Sequence, residues 1–421
     1  MLDTTALAQK ARRRAVPAVA AVTVLALGHT VVDLYGTSIT PLLPRFVQLW
    51  HLTPASLGLL TAATSLTGSL LQPVLGFYLD RKGSSRLAAL SVLWISVAVL
   101  ALGWVTSFPL LFALATATIL GSAVYHPLGA ALARRVAPLN RRGFYISLYM
   151  NVGTLGWAVA PLLVTWWVSS WGLKALAWLA LPGLAVAALL VAAGLSLASP
   201  DPAADLPPPA AARQAPAPAA PRPAPAGLGR LRRRGVYFLL ACTILRSWAA
   251  SAVQTYLPTH LVQQGQSLTA AGGVLTLFTV SGTVAGFFFG YLSDRFGRRA
   301  LIAVTQALAG AALFWLLKAP PAFHGVATAL TGILMLGSLP LTVVLIQEMM
   351  PGRASTGAGL VIGFAGGIGG LLVLASGYLA NRVGLGTALL WTVPALPAAA
   401  LCALAIPEQA CRLEAMAETN S

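Results

Sequence analysis

The sequence predicts an all-α membrane protein, with twelve transmembrane helices in two pseudo-symmetric six-helix bundles. Three observations carry this. Of 421 residues, 57% are hydrophobic and 9% charged, and the mean hydropathy is +0.80, whereas soluble domains carry about 25% charged residues. Apolar runs of roughly 20 residues recur from end to end, each long enough to cross a hydrocarbon core of about 30 Å. Finally, a charged motif occurs twice at a nearly constant offset, once in each half of the chain.

The runs lie at about 17–44, 54–79, 87–106, 108–133, 144–169 and 173–198, then 235–262, 268–293, 300–318, 323–348, 355–380 and 385–406. Barrel strands would show short alternating segments instead, and none occur. The first run follows basic residues, as a signal peptide would, but it is too long for a cleaved signal and has a counterpart later in the chain. It therefore stays as the first span. Residues 199–230, SPDPAADLPPPAAARQAPAPAAPRPAPAGLGR, break the pattern with Pro and Ala and read as an extended linker. The expected units are 1–198, a linker over 199–233, and 234–421.

The net charge of +17 is distributed as a membrane protein distributes it, so no nucleic-acid partner is expected. With the loop after the first span taken as external, and every second loop likewise, only Arg45, Lys174, Lys318 and Arg382 lie outside. Arg246 falls within a span, and the other 22 of 27 Lys and Arg lie in the remaining loops and the tails. That positive-inside bias places both termini in the cytoplasm. Clusters such as Arg12–Arg13–Arg14 and Arg232–Arg233–Arg234 then read as topology signals beside anionic lipid. The three cysteines, Cys242, Cys402 and Cys411, have no paired spacing, so neither a disulfide framework nor a metal site is expected.

GFYLDRKGSSR (76–86) and GYLSDRFGRR (290–299) align at an offset of 214, matching Gly76, Asp80, Arg81 and Gly83 to Gly290, Asp294, Arg295 and Gly297. The first Gly of each copy allows close helix packing, and the second a tight turn between antiparallel helices. The Asp can accept backbone or arginine hydrogen bonds. Such a cluster can latch the cytoplasmic side and break when the halves rock. Glu348 is expected near Arg295 or Arg298, while the matching position in the first half carries Arg134 and Arg135. Parallel six-helix repeats are a transporter architecture with the substrate path between the halves.

Within the spans, acidic residues are scarce, and Asp33 stands about midway through the first. A charge at the bilayer centre costs about 2.5–3.5 kcal/mol on insertion scales, so it faces a cavity or a partner. His29 lies one turn earlier on the same face. A carboxylate beside an imidazole is a proton-handling pair, and a plain packing hydrogen bond is the structural alternative. Arg246 aligns with Val32 at the same offset, so the two charges sit at similar depth. Either they pair, or Arg246 awaits an anion, which its bidentate donors suit. His126 precedes Pro127, and a proline that kinks a helix is a common device beside a cavity. Tyr35, Tyr125, Gln254 and Asn151 are further candidates to line that cavity.

Twelve spans, a six-plus-six repeat, a central linker and G-x-x-x-D-R-x-G in each half resemble the major facilitator superfamily across the whole chain outside the termini and linker. H-x-x-x-D at His29 and Asp33, PLLP at 41–44, and Tyr125-His126-Pro127 resemble its fosmidomycin-resistance branch. The chain departs at Leu128-Gly129, where that branch often has an acidic or second proline residue. The resemblance implies a bacterial inner-membrane exporter of a small phosphonate run by proton exchange. It makes His29, Asp33 and His126 the proton-coupling set. Arg246 stands outside it, on the charge argument alone.

The expected function is therefore proton-coupled export of small anionic amphiphiles by alternating access. The expected partners are the substrate, protons and membrane lipids, with no cofactor and a monomeric chain. A proton-coupled importer of an organic anion fits the same residues. A non-transporting receptor would not require His29, Asp33 and Arg246 in the membrane. An ATP-driven pump would need G-x-x-x-x-G-K-[ST], which is missing from the sequence. An enzyme is disfavoured by the lack of any nucleophile-elbow or metal-ligand spacing.

Overall fold

The computed structural model describes residues 18–79, 84–138, 141–195, 228–350 and 353–407. The Pro/Ala-rich segment falls outside them, as do Asp80, Arg81 and Gly83 of the first motif copy. In order, the helices are α1 (Ala18–Thr37), α2 (Leu43–Trp50), α3 (Pro54–Leu79), α4 (Ser85–Leu102), α5 (Phe108–Val136), α6 (Arg142–Trp171) and α7 (Leu176–Ala193). After the central segment come α8 (Leu228–Gln263), α9 (Leu268–Phe296), α10 (Arg298–Lys318), α11 (His324–Leu336), α12 (Leu339–Met349), α13 (Ala354–Ala358), α14 (Gly366–Val383), α15 (Leu385–Leu390) and α16 (Ala395–Leu404). Helices are what a bilayer demands, because every backbone group must find its partner within the segment.

Among the described residues, eleven helical stretches are long and apolar enough to span a membrane, rather than the twelve read from hydropathy. The difference is α3. Its 26 residues are long enough, but Ser56, Thr61, Thr64, Ser65, Thr67 and Ser69 dilute its apolar character. The physical reason is position, since α3 packs against the second half and lines the space between the halves. Its hydroxyls are not a burden to burial, because Thr64 donates to the carbonyl of Leu60 (2.9 Å) within the helix.

Several spans are interrupted. Ser38–Leu42 breaks the first between α1 and α2, where Pro41 has no N–H to donate and Ser38 Oγ caps the carbonyl of Leu34 (2.7 Å). Gly337–Ser338 and Pro340 similarly divide α11 from α12. Gly359–Ala365 forms a π-helical turn at the start of the Gly-rich eleventh span.

The two helix sets meet along two seams, α3 against α14 and α6 against α9. Glycines allow the approach: a Cβ on Gly58 would stand 2.9 Å from the Leu374 Cα, and one on Gly272 2.6 Å from the Pro161 carbonyl oxygen. Hydrogen bonds cross both seams, from Ala55 N–H to Asn381 Oδ1 (3.2 Å) and from Leu162 N–H to Thr276 Oγ1 (3.0 Å), and a third joins Thr61 of α3 to Thr255 of α8 (3.0 Å). All of these lie toward the end of the molecule remote from the motif at 290–297.

At the motif end, Gly297 turns the chain between α9 and α10 at φ +81°, a left-handed conformation that favours glycine. Gly290 does not serve close packing as expected, because a Cβ there would have nothing within 4 Å.

Candidate functional site

The first half assembles a cluster around Asp33. His126 Nε2 lies 2.9 Å from Asp33 Oδ1, and His29 Nε2 lies 3.4 Å from Oδ2. His29 and Asp33 share a face of α1, one turn apart, while His126 comes from α5, 93 residues further along the chain. The carboxylate is 15% exposed and the His126 side chain 30%, whereas His29 is buried. Two rings meet edge to face, His29 and His126, with centroids 5.0 Å apart.

The walls of the cluster explain why it is held so. His29 stacks on Tyr149 at 4.8 Å, and its Nδ1 lies 3.3 Å from the Tyr149 carbonyl oxygen. His126 Nδ1 lies 2.9 Å from the Ser122 carbonyl oxygen and 3.1 Å from Ser122 Oγ. A carbonyl only accepts, so each Nδ1 carries the hydrogen and each Nε2 is turned toward Asp33. Gly153 leaves the room for His29, since a Cβ there would overlap the imidazole. Ser122 and Tyr149 were not singled out in the sequence, and Gly153 reads there only as a small residue for close helix packing. Ser122 could have been found one turn before His126, but no sequence signal ties Tyr149 or Gly153 to His29.

Asp33 also lines a groove of about 510 Å³ between the halves, with Asn151, Trp157, Thr283, Phe287 and Leu336 among its walls. Nearer the closed end lies a second space of about 230 Å³, lined by Thr37, Thr61, Ser65, Ser251, Gln254 and Thr255 among others. Asn151 and Gln254 thus face inter-half space. Tyr35 and Tyr125 do not. The Tyr35 hydroxyl donates to the Leu179 carbonyl and accepts from Gly183 N–H, and Tyr125 donates to the Leu25 carbonyl (2.6 Å). Both are buried tyrosines that tie helices together within the first half.

Arg246 lies elsewhere. It forms no ion pair with Asp33, whose partners are the two imidazoles. It is 4% exposed, on the same stripe of α8 as Cys242, Ala250, Val253 and Leu257, all buried. At 100° per residue, Thr255 and Ser251, which line the cavity, lie on the opposite side of the helix. Its Nε has no hydrogen-bond partner. The repeat offset gave Arg246 its depth but not its face.

The second motif copy forms a charge cluster. Arg298 reaches Glu348 at 2.7 Å and Asp294 at 3.4 Å, which joins the α9–α10 corner to the end of α12. Arg295 lies over the Tyr291 ring instead, 5.1 Å from its centroid. Glu348→Gln is expected to cost about 1 kcal/mol. It should lower the melting temperature of the solubilised protein by a few degrees and slow transport several-fold at unchanged substrate affinity. A thermal-shift assay and flux kinetics check this, and an unchanged rate would remove the cluster from the gating cycle.

Two helix sets meeting around inter-half cavities, with a carboxylate in the wall, are the architecture of a membrane transporter. The sequence matches the family model of the Major Facilitator Superfamily over residues 25–372, and the chain belongs to that superfamily. It is 26% identical to the uncharacterized MFS-type transporter YfnC of Bacillus subtilis, over 91% of this chain and 92% of that protein. It is 26% identical to the fosmidomycin resistance protein of Escherichia coli, over 85% and 86%. In fold it resembles a bacterial homolog of the human lysosomal transporter Spinster in an inward-facing and occupied conformation, with TM-score 0.71 and 17% identity over 93% of this chain and 97% of that one.

Proposed function

We propose that this transporter is a proton-coupled exporter of small amphiphilic compounds, with Asp33, His29 and His126 as the coupling group. The observation that carries this reading is the carboxylate held between two imidazoles within a membrane span, in the wall of an inter-half groove. Such a group exchanges protons with whichever side the cavity faces, and a substrate in the groove can compete for it. Similarity to the fosmidomycin resistance protein supports efflux, and the groove of about 510 Å³ has room for a small solute. The imidazoles, when protonated, supply positive charge beside it. Arg246 holds a second, buried positive charge on α8, and we assign it to the substrate anion on the suitability of its guanidinium for such a group. With the basic loops in the cytoplasm, the seams close the external end, and the cavity is open inward.

The test is flux in inverted vesicles with an acid interior. Small phosphonates, carboxylates and lipophilic cations are added in turn, and proton release is followed. A phosphonate or carboxylate is expected to collapse the gradient, and Arg246→Gln to raise its half-saturation concentration about tenfold or more. If only lipophilic cations release protons, the anionic assignment is wrong. If Arg246→Gln leaves half-saturation unchanged, Arg246 is a structural cation.

A further inference from the structure

We propose that His29, Asp33 and His126 form a binding site for one divalent transition-metal ion of the zinc class. The argument rests on donor atoms. One ligand atom from each residue lies within 4.8 Å of the other two, and the carboxylate contacts are 2.9 and 3.4 Å. An ion bonded at about 2.0–2.2 Å to nitrogen and oxygen sets its ligand atoms about 3.0–3.5 Å apart, so small rotamer adjustments close the set around it.

Orientation adds a second, independent reason. Metal-bound histidines turn one nitrogen to the ion and donate from the other to a carbonyl or carboxylate, which fixes ring and tautomer. Both rings do this here, with His29 Nδ1 on the Tyr149 carbonyl and His126 Nδ1 on the Ser122 carbonyl. Both Nε2 atoms therefore converge on Asp33 through the protons they share with it. In exchange for those protons, one divalent ion would bond both Nε2 atoms and the carboxylate together.

The donor set selects the metal. Two imidazoles and one carboxylate suit Zn²⁺, Co²⁺ or Ni²⁺, while Mg²⁺ and Ca²⁺ require oxygen ligands. Asp33 borders the groove, so the remaining coordination position opens toward it and takes water. The linear sequence hides the site, because the third ligand is 93 residues from Asp33 and no short spacing announces it. The ligands are the same three residues as the coupling group, but the metal site does not rest on that reading, since binding is measured without flux.

The experiment uses the full chain in detergent micelles, stripped with a chelator and titrated with Co²⁺. The expected result is a visible d–d absorption that saturates at one ion per chain and is bleached by Zn²⁺. His126→Gln and Asp33→Asn are each expected to weaken binding more than about tenfold, and His51→Gln, which removes a histidine elsewhere, to leave it unchanged. No absorption at millimolar Co²⁺, or equal affinity in the His126 and Asp33 variants, overturns the proposal. Should those variants aggregate, the unmutated protein decides. Zn²⁺ must then protect His126 from diethylpyrocarbonate while His51 remains reactive, and failure to protect overturns the site.

Discussion

Asp33→Asn is expected to reduce substrate-driven proton release to the level of vesicles lacking the protein, while the chain remains folded. The geometry makes this a clean substitution. Asn keeps the size of the carboxylate and can still hydrogen-bond to both imidazoles, but it cannot take up a proton. His126 Nε2 and His29 Nε2, at 2.9 and 3.4 Å, then meet a neutral amide, and the stability cost stays within about 1–3 kcal/mol. Exchange of labelled for unlabelled substrate needs no net proton movement and is expected to survive. Release lost with exchange kept marks a coupling residue. If both are lost in a protein that runs as an aggregate, Asp33 is a packing group. Wild-type release in Asp33→Asn would end the coupling assignment.

Gly156→Ala is expected to be among the most damaging single-methyl additions in the molecule. A Cβ at Gly156 would overlap the Thr30 carbonyl oxygen and lie 2.8 Å from its carbonyl carbon and 3.0 Å from its Cα. The obstacle is backbone, so no side-chain rotation relieves it, and α1 must move away from α6. Thr30 Oγ1 also donates to the Val152 carbonyl across the same contact (2.8 Å). Overpacking of this kind costs about 1–3 kcal/mol or more. The shift would carry His29 away from Tyr149, because Gly153 lies on the same face of α6 and borders the imidazole. A clear fall in melting temperature and loss of transport are expected together. Gly143→Ala is the control on the same helix, with nothing within 4 Å of its Cβ, and is expected to be neutral or stabilising by up to about 1 kcal/mol. Equal melting temperatures for the two variants would contradict this account of the α1–α6 contact.

The sequence by itself determined the class of protein and the approximate spans, and it marked the charges that lie within them. These follow from a one-dimensional requirement, since a span must be about 20 apolar residues long and an ionisable group within it needs a reason to be there. Periodicity along one helix also set His29 beside Asp33. The tertiary structure decided everything that depends on which faces meet. It brought His126 to Asp33 from a helix far along the chain, withdrew Tyr35 and Tyr125 into helix-tying hydrogen bonds, and turned Arg246 away from the inter-half cavity. It also showed why α3 is too polar to count as an apolar span, since Thr61, Thr64 and Ser65 line the space between the halves. The reason is rotational: a helix residue's partner depends on how neighbouring helices are turned and packed, and the packing contacts that fix this lie far apart in the chain. Linear spacing carries depth, whereas only packing carries direction.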